Sequence, residues 1–258
     1  MFDCTAVVTT LAHPNRIMWM KRTIPEVAKS PIFKRKILAI AESPAHKIQP
    51  KDAAEAMKAD WELHIDGYRD RIKTFSEVLE KVDTEWIFYH EEDVLMKELP
   101  SMVDMEEIDN FMSKDMRKCG ALSLNPGGST HDTPSKNMGD FDQIRENMIL
   151  ETPTLKFFQR NEKNKNDYFI SFPALFIRTS ILKECHRYAT HHCHGMQIET
   201  ALSQAYFDQA FDRYFFKASA MLPSISDLQP GEILAPHVPY EVLDPRQGQS
   251  PNGGKHTY

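Results

Sequence analysis

The sequence has few cysteines, no cluster of basic residues and no long apolar run. Four cysteines among 258 residues are too few for the disulfide framework of a small secreted domain, and they favour a reducing compartment. No window approaches the roughly 20 apolar residues that a membrane span needs. The apolar run near the N-terminus has neither the basic flank nor the cleavage site of a secretory signal. We therefore expect a cytoplasmic protein without a membrane span.

Charge and composition exclude several further classes of protein. The chain has 31 Lys and Arg against 37 Asp and Glu, a net charge of −6, so general binding to the nucleic-acid backbone is not expected. It contains no internal repeat and no low-complexity tract. A length of 258 residues with 41% hydrophobic content suits one large globular domain or two small ones.

Strands and helices alternate in the first half of the chain. Residues 4–11 form a β-branched apolar run, and the following His13-Pro14-Asn15 predicts a helix start capped by Asn15. We expect Pro25 to kink or shorten that helix. The remaining predicted elements are strands over 37–41, 86–89 and 119–124 and helices over 52–64, 69–82 and around 105–116. This alternation predicts a parallel sheet.

The second half changes character. Residues 125–167 are rich in Pro, Gly and small polar residues, which predicts a long surface insertion that contacts substrate. A strand over 168–177, helices over 179–187 and 199–211, and an irregular tail over 231–258 are predicted to follow. The predicted units are thus an α/β half over 1–124, an insertion over 125–167 and an acceptor-side half over 168–258.

The motif Trp86-Ile87-Phe88-Tyr89-His90-Glu91-Glu92-Asp93 is a hydrophobic strand that ends in three carboxylates. Ligands of open α/β sheets bind beyond such strand ends. Because side chains alternate along a strand, Glu91 and Asp93 are expected to point one way and Glu92 the other. Two aligned carboxylates suit Mg²⁺ or Mn²⁺, which would bridge the protein and a diphosphate. The alternative is a solvated acidic turn, since eight acids over 91–109 face only Lys97.

These positions resemble the nucleotide-sugar-dependent glycosyltransferases of the GT-A fold, especially members similar to family 2. The resemblance depends on the opening strand with its Pro14-Asn15-Arg16 helix start, on residues 37–42 as the second strand, and on Glu91-Glu92-Asp93, which looks like the DxD motif with Glu in place of its first Asp. It implies a single Rossmann-like domain with a mostly parallel central sheet flanked by helices.

The resemblance also implies roles for particular residues. The exit of the first strand would contact the nucleobase, and Glu42 would accept from a uracil imide, which favours a UDP-sugar donor; a loop acid is the other interpretation of Glu42. A cation at a helix start can meet diphosphate oxygens. The residues implied in nucleotide binding are Thr9, Thr10, Leu11, Arg16, Glu42, Arg69, Lys73 and Glu92.

The catalytic and metal residues follow from the same resemblance. Glu199 is the candidate base that removes the proton of an acceptor hydroxyl, with Asp208 as the second candidate. Glu91, Asp93 and a late His237 would bind the metal, and the imidazole would favour Mn²⁺ over Mg²⁺. The implied acceptor is a carbohydrate or a glycoconjugate.

Three other functions are compatible with the residues. Six Cys and His residues between 185 and 194 suggest a zinc-stabilised binding module, although their spacing matches no tight zinc motif; the histidines among them could instead border an acceptor pocket. A nucleotidyltransferase would share the sheet and the metal, but Leu11-Ala12-His13-Pro14 is not a Gly-rich phosphate loop. A catalytically silent relative is also compatible with the residues, which do not fix the sugar, the acceptor or the oligomeric state.

Overall fold

The computed structural model describes residues 2–43, 46–58, 60–66, 71–92, 94–96, 99–114, 119–123, 148–152, 156–159, 175–193, 196, 198–208, 216–221 and 240–242. The strands are β1 Cys4–Leu11, β2 Phe33–Ala41, β3 Glu62–Asp66, β4 Trp86–Glu91, β5 Val94–Met96, β6 Cys119–Ser123, β7 Met148–Glu151, β8 Lys156–Gln159, β9 Leu175–Arg178, β10 Phe216–Met221 and β11 Tyr240–Val242. The helices are α1 Pro14–Lys29, α2 Pro50–Met57, α3 Arg71–Glu80, α4 Met102–Lys114, α5 Thr179–His192 and α6 Ile198–Asp208.

A nine-stranded sheet in the order β3-β2-β1-β4-β9-β6-β10-β8-β7 forms the centre of the described fold. Strands β1 to β4 pair in parallel, while β9 runs against both β4 and β6. Strand β10 is parallel to β6, and β8 is antiparallel to β10 and β7. Only β8 and β9 among these nine strands therefore run opposite to the rest. The predicted α/β fold with a mostly parallel sheet is confirmed.

Alternating side chains of the parallel strands build two cores, one on each face of the sheet. Ala6, Leu38 and Phe88 belong to the core that packs against α1, α2 and α4. Val7, Ile37 and Ile87 belong to the core on the other face, against α3, α5 and α6. A sheet with helices on both faces must bury both sets of side chains, which explains the nearly continuous apolar runs of β1 and β4.

The connections create a switch in strand order between β1 and β4. Helices α1 and α2, on one face, lead the chain outward from β1 to β2 and β3. Helix α3, on the other face, then leads to β4, which pairs with the opposite side of β1. In open α/β sheets, ligands bind in the crevice at the carboxyl ends of the strands where the order reverses. A ligand site is therefore expected at the carboxyl ends of β1 and β4.

The predicted helix over 52–64 is wrong, because α2 ends at Met57 and the edge strand β3 follows it. Lys58 adopts the left-handed conformation, with φ 53° and ψ 36°, and its N–H donates to the Glu55 carbonyl. Trp61 belongs to the same core as Met57, so the helical spacing of apolar residues continues past the true end of the helix. The helical spacing of apolar residues therefore did not reveal the turn at Lys58 between α2 and β3.

Other boundaries also differ from the prediction. Helix α1 continues through Pro25 to Lys29, and His13, not Asn15, is its N-cap: the Asn15 amide donates to His13 Nδ1 over 3.1 Å. The expected insertion contains β7 and β8, and the expected irregular tail contributes β11. Strands β8 and β11 pair with the distant strands β10 and β5, which local composition does not reveal.

Arg178, at the end of β9, holds the amino end of β4 in place. Its buried guanidinium pairs with Glu85, lies 3.4 Å from an oxygen of Asp109 and stacks 4.5 Å from the centre of the Trp86 ring. The Trp86 indole N–H also donates to Asp109 over 2.9 Å. Helix α4 is thereby fixed to the first residue of β4.

The helices that the structure describes include none of the length and apolarity needed to span a bilayer.

Replacing Lys58 by glycine is expected to stabilise the fold. A side chain in the left-handed region costs about 1–2 kcal/mol, and glycine avoids most of that cost at the end of a helix. We expect Lys58→Gly to raise the free energy of unfolding by about 0.5–1 kcal/mol in urea denaturation. Lys58→Ala is the control, since it removes the same charge but retains the Cβ. Equal effects of the two variants would show that the backbone conformation is not the cause.

Candidate active site at the carboxyl ends of β1 and β4

The ends of the parallel strands are joined by backbone hydrogen bonds. The Ala12 N–H donates to the Ala41 carbonyl over 2.8 Å, and the Glu42 N–H donates to the Asp66 carbonyl over 3.1 Å. These bonds fix the exits of β1, β2 and β3 side by side. Glu42, expected to contact a base, is exposed at the exit of β2.

The exits of β1 and β4 face each other in register. Thr9 of β1 lies opposite Glu91 of β4, and the hydroxyls of Thr9 and Tyr89 share a hydrogen bond of 2.9 Å. The Glu91 side chain is half-buried. Of the other residues expected to contact a nucleobase, Thr10 is buried and Leu11 is half-buried. The structure thus brings Thr9 and Glu91 together at the predicted edge.

Glu92 points toward α1. Its side chain is fully buried and forms an ion pair with Arg16, which is itself about nine-tenths buried. The Thr23 hydroxyl of the same helix donates to the Glu92 carbonyl over 3.3 Å. Arg16 and Glu92, both expected to contact the nucleotide, therefore bind each other.

The segment after β4 meets the C-terminal part of the chain. Asp93 lies outside the described residues, but β5 begins directly after it and pairs antiparallel with β11, with Val94 opposite Val242. Helix α1 packs beside β5. The C-terminal part of the chain therefore reaches the exit of β4, although His237 is itself outside the described residues.

The connection from β1 to α1 consists of two residues. Ala12 and His13 alone separate the end of β1 from the first residue of α1. The His13 ring packs edge-on against His46, with 4.1 Å between the ring centres. A connection this short has no room for a loop that wraps around phosphates, which argues against the nucleotidyltransferase alternative.

Of the remaining predicted residues, the structure gives backbone positions only. Lys73 lies in the first turn of α3, Glu199 is the second residue of α6 and Asp208 is its last, whereas Arg69 is outside the described residues. Glu199 and Asp208 are nine residues apart, which separates their backbone positions by about 13 Å along the axis of α6. One substrate therefore cannot use both as bases.

The cysteines and histidines of α5 do not form a metal cluster within the described part of the chain. Cys185 and Cys193 are buried, and burial, with a smaller effect of the Glu184 charge, raises the pKa of the Cys185 thiol well above its ordinary value. His191 and His192 are exposed. Across the described residues, the side chains that bring three ligand atoms together are His64, Asp66 and Glu77.

The sequence analysis did not identify the group of His64, Asp66 and Glu77, because it placed His64 in a helix. The available signal was the alternation of polar and apolar residues over 62–66, Glu-Leu-His-Ile-Asp, which is typical of a strand. A cavity of about 590 Å³ also lies between α3 and α5, with Ser76, Lys183 and His191 among its lining residues. It is bordered by helices and not by the strand ends.

Comparison with known proteins gives distant structural likenesses. No family model matches the sequence, and no curated protein matches it. Similar structures include a mannosyltransferase, PcManGT from Pyrobaculum calidifontis in complex with GDP-Man and Mn²⁺, with 10% identity and a TM-score of 0.49 over 90% of this chain and 59% of that one. S. aureus TarS 1-349 in complex with UDP-GlcNAc gives 11% identity and a TM-score of 0.48 over 89% and 60% of the two chains.

A 4-diphosphocytidyl-2C-methyl-D-erythritol synthase from Anaerococcus prevotii gives 15% identity and a TM-score of 0.42 over 81% of this chain and 83% of that one. The present chain spans about 60% of the length of the mannosyltransferase and of the TarS fragment. These likenesses are too distant to carry an argument about activity. The proposed function therefore depends on the residues of this chain.

Removal of Arg16 is expected to destabilise the fold strongly. Arg16→Met leaves the Glu92 carboxylate buried without its counter-charge, which costs about 3–5 kcal/mol of unfolding free energy. The double variant Arg16→Met/Glu92→Leu should recover most of that loss, because no buried charge is left. Urea denaturation measures both values.

The matched control is Lys29→Met on the same helix. Lys29 pairs with Glu26 over 2.8 Å, but its side chain is 70% exposed, so its loss should cost less than about 1 kcal/mol. If the Arg16 and Lys29 variants lost equal stability, the buried pair would not be the constraint described above.

Proposed function

We propose that this protein is a metal-dependent glycosyltransferase that transfers a sugar from a nucleotide diphosphate sugar to a carbohydrate or glycoconjugate acceptor. The observation that carries the proposal is the position of Glu91-Glu92-Asp93, at the exit of a buried strand and at the switch in strand order between β1 and β4. A UDP-sugar is the donor we favour, with Thr9, Thr10, Leu11 and Glu42 at the base.

The three carboxylates have different roles in this proposal. Arg16 neutralises Glu92 on the α1 side, and we assign the cation to Glu91 and Asp93. Their oxygen atoms fit Mn²⁺ or Mg²⁺, and His237 would add a donor that favours Mn²⁺. The pairing of β11 with β5 supports this role, since it leads the C-terminal segment to the exit of β4.

The proposed chemistry assigns one step to Glu199. When bound by Glu91 and Asp93, the metal would stabilise the negative charge of the diphosphate leaving group. The acceptor hydroxyl attacks the anomeric carbon, the bond from that carbon to the diphosphate oxygen breaks, and the hydroxyl proton passes to the Glu199 carboxylate. Lys73 and Arg69, near the start of α3, would contact the diphosphate. Residues 125–167 and the C-terminal segment would contact the acceptor.

The rival functions receive less support. A nucleotidyltransferase would need a phosphate loop where the chain has only Ala12 and His13. A zinc module built on α5 would need its Cys and His side chains to converge, yet within the described part of the chain no three of their ligand atoms come together. A catalytically silent relative would bind the nucleotide without turnover, which the experiments below detect.

Nucleotide binding should depend on Mn²⁺ and on Asp93. We expect calorimetric titration to show UDP binding that is at least tenfold tighter with Mn²⁺ than without it, and this gain should disappear in Asp93→Ala. Glu107→Ala is the control, because it removes an exposed acid of α4 away from the strand ends. If UDP bound equally well without Mn²⁺, or if both variants behaved alike, the proposed metal site would be wrong.

Turnover should depend on Glu199 and not on Asp208. Loss of a general base typically lowers the rate about 10²–10⁴-fold. We therefore expect Glu199→Gln to slow the release of UDP from a panel of UDP-sugars with simple saccharide acceptors, while Mn²⁺-dependent UDP affinity is unchanged. Asp208→Asn, about 13 Å farther along the axis of α6, should retain the rate. A larger loss in Asp208→Asn would assign the base to that residue.

A further inference from the structure

Strand β3 buries its polar side chains and exposes its apolar ones. His64 and Asp66 are each 7% exposed, whereas Leu63 is 39% and Ile65 is 45% exposed. A shift of one residue in the pairing with β2 would exchange the two sets and bury the apolar pair. The observed register leaves this apolar pair exposed at a cost in stability, so the burial of the polar pair needs an explanation.

Helix α3 adds a third polar side chain to this pair. His64 and Asp66 lie on the face of the sheet that α3 covers, and one ligand atom from each of His64, Asp66 and Glu77 lies within 4.8 Å of the other two. His64 Nε2 lies 3.8 Å from a Glu77 oxygen. A tetrahedral ion with bonds of about 2.1 Å holds its ligand atoms about 3.4 Å apart. Small side-chain movements would bring these atoms into coordination.

The imidazole of His64 has an unused nitrogen that is aimed at this cluster. Its side chain is 8% exposed, and Nε2 has no hydrogen-bond partner among the described residues. An unpaired buried polar atom costs about 1–3 kcal/mol, which a metal bond would offset.

We propose that His64, Asp66 and Glu77 form a binding site for a divalent transition metal ion, with Zn²⁺ as the expected occupant. One imidazole and two carboxylates are a donor set that Zn²⁺ accepts with tetrahedral geometry, and the fourth position is open to water. Imidazole disfavours Mg²⁺ and Ca²⁺, which select oxygen ligands. Glu77 is 43% exposed, so an ion has a route to the site from solvent.

This site is distinct from the proposed metal site at the end of β4. Strand β3 is three strands from β4 in the sheet, so at about 4.8 Å per strand the two are about 14 Å apart. It adjoins the proposed base contact, because the Asp66 carbonyl accepts from the Glu42 N–H. A bound ion would strengthen the connection of the edge strand β3 to helix α3 that the His64–Glu77 contact already makes. The site therefore stabilises the sheet edge, and its existence does not depend on the proposed transferase activity.

The test is a titration of the full chain, freed of metal by a chelator, with Zn²⁺ alone. We expect one tightly bound ion with His64, Asp66 and Glu77 intact, ahead of any weaker Zn²⁺ binding at the end of β4, and an affinity for that ion at least a hundredfold lower in Glu77→Gln and in His64→Gln. Since binding to the native state stabilises it, Zn²⁺ at a hundred times its Kd should raise the Tm by about 5–10 °C. Glu80→Gln, an exposed acid of the same helix, is the control and should bind Zn²⁺ normally.

X-ray absorption of the zinc-loaded protein distinguishes this site from the cysteines of α5. Nitrogen and oxygen ligands at about 2.0–2.1 Å support the proposal, whereas a sulfur shell at about 2.3 Å would place the ion at cysteines and overturn it. Asp93→Ala should retain the zinc site even if it loses Mn²⁺-dependent UDP binding, so the two proposals fail separately. No zinc binding, or equal binding in Glu77→Gln and Glu80→Gln, would also overturn the inference.

Discussion

The buried pair of Arg16 and Glu92 is the interaction on which the candidate active site depends. Three adjacent carboxylates at the end of one strand repel one another, and a fold that buried all three without counter-charge would be unstable. Arg16 neutralises the middle carboxylate and fixes it against α1. In the proposal, the metal ligands are Glu91, which lies in register with Thr9 at the end of β4, and Asp93.

The pair also joins two elements that flank the proposed nucleotide site. Helix α1 begins two residues after β1, so its start and the exit of β4 flank the same crevice. The Thr23 hydroxyl adds a second contact from α1 to the Glu92 backbone. Arg178 holds the other end of β4 in place, where it pairs with Glu85 and stacks on Trp86. Strand β4 is therefore held at both ends by arginines from neighbouring elements.

The sequence was sufficient to predict the elements whose apolar pattern agrees with their burial. Strands β1 and β4 and helix α1 have buried apolar runs of this kind, and with them the carboxylates at the strand end could be located. The partner of Glu92 could not be predicted from the sequence, because Arg16 is 76 residues away and no local pattern links the two. Arg16 instead matched a helix-start cation, which is a common surface position.

Strand β3 shows a different reason why prediction failed. Its apolar side chains are exposed and its polar ones buried, which is the reverse of the pattern that sequence reasoning assumes. The helical spacing of Ala53, Met57 and Trp61 also continued across the left-handed turn at Lys58. Such conflicts between local pattern and fold are expected where a residue serves a site instead of the core. The polar residues that depart from the pattern, His64 and Asp66, belong with Glu77 to the proposed zinc site.

The two proposed cation sites have similar donors, since each combines two carboxylates with one imidazole. At the end of β4 a bound diphosphate would supply further oxygens, which suits Mn²⁺ or Mg²⁺. The site of His64, Asp66 and Glu77 follows the affinity order in which Zn²⁺ exceeds Mn²⁺. Excess Zn²⁺ would also bind at Glu91, Asp93 and His237, since that order applies there too. Mn²⁺ titrations of nucleotide binding are therefore interpretable only in protein whose content of zinc is known.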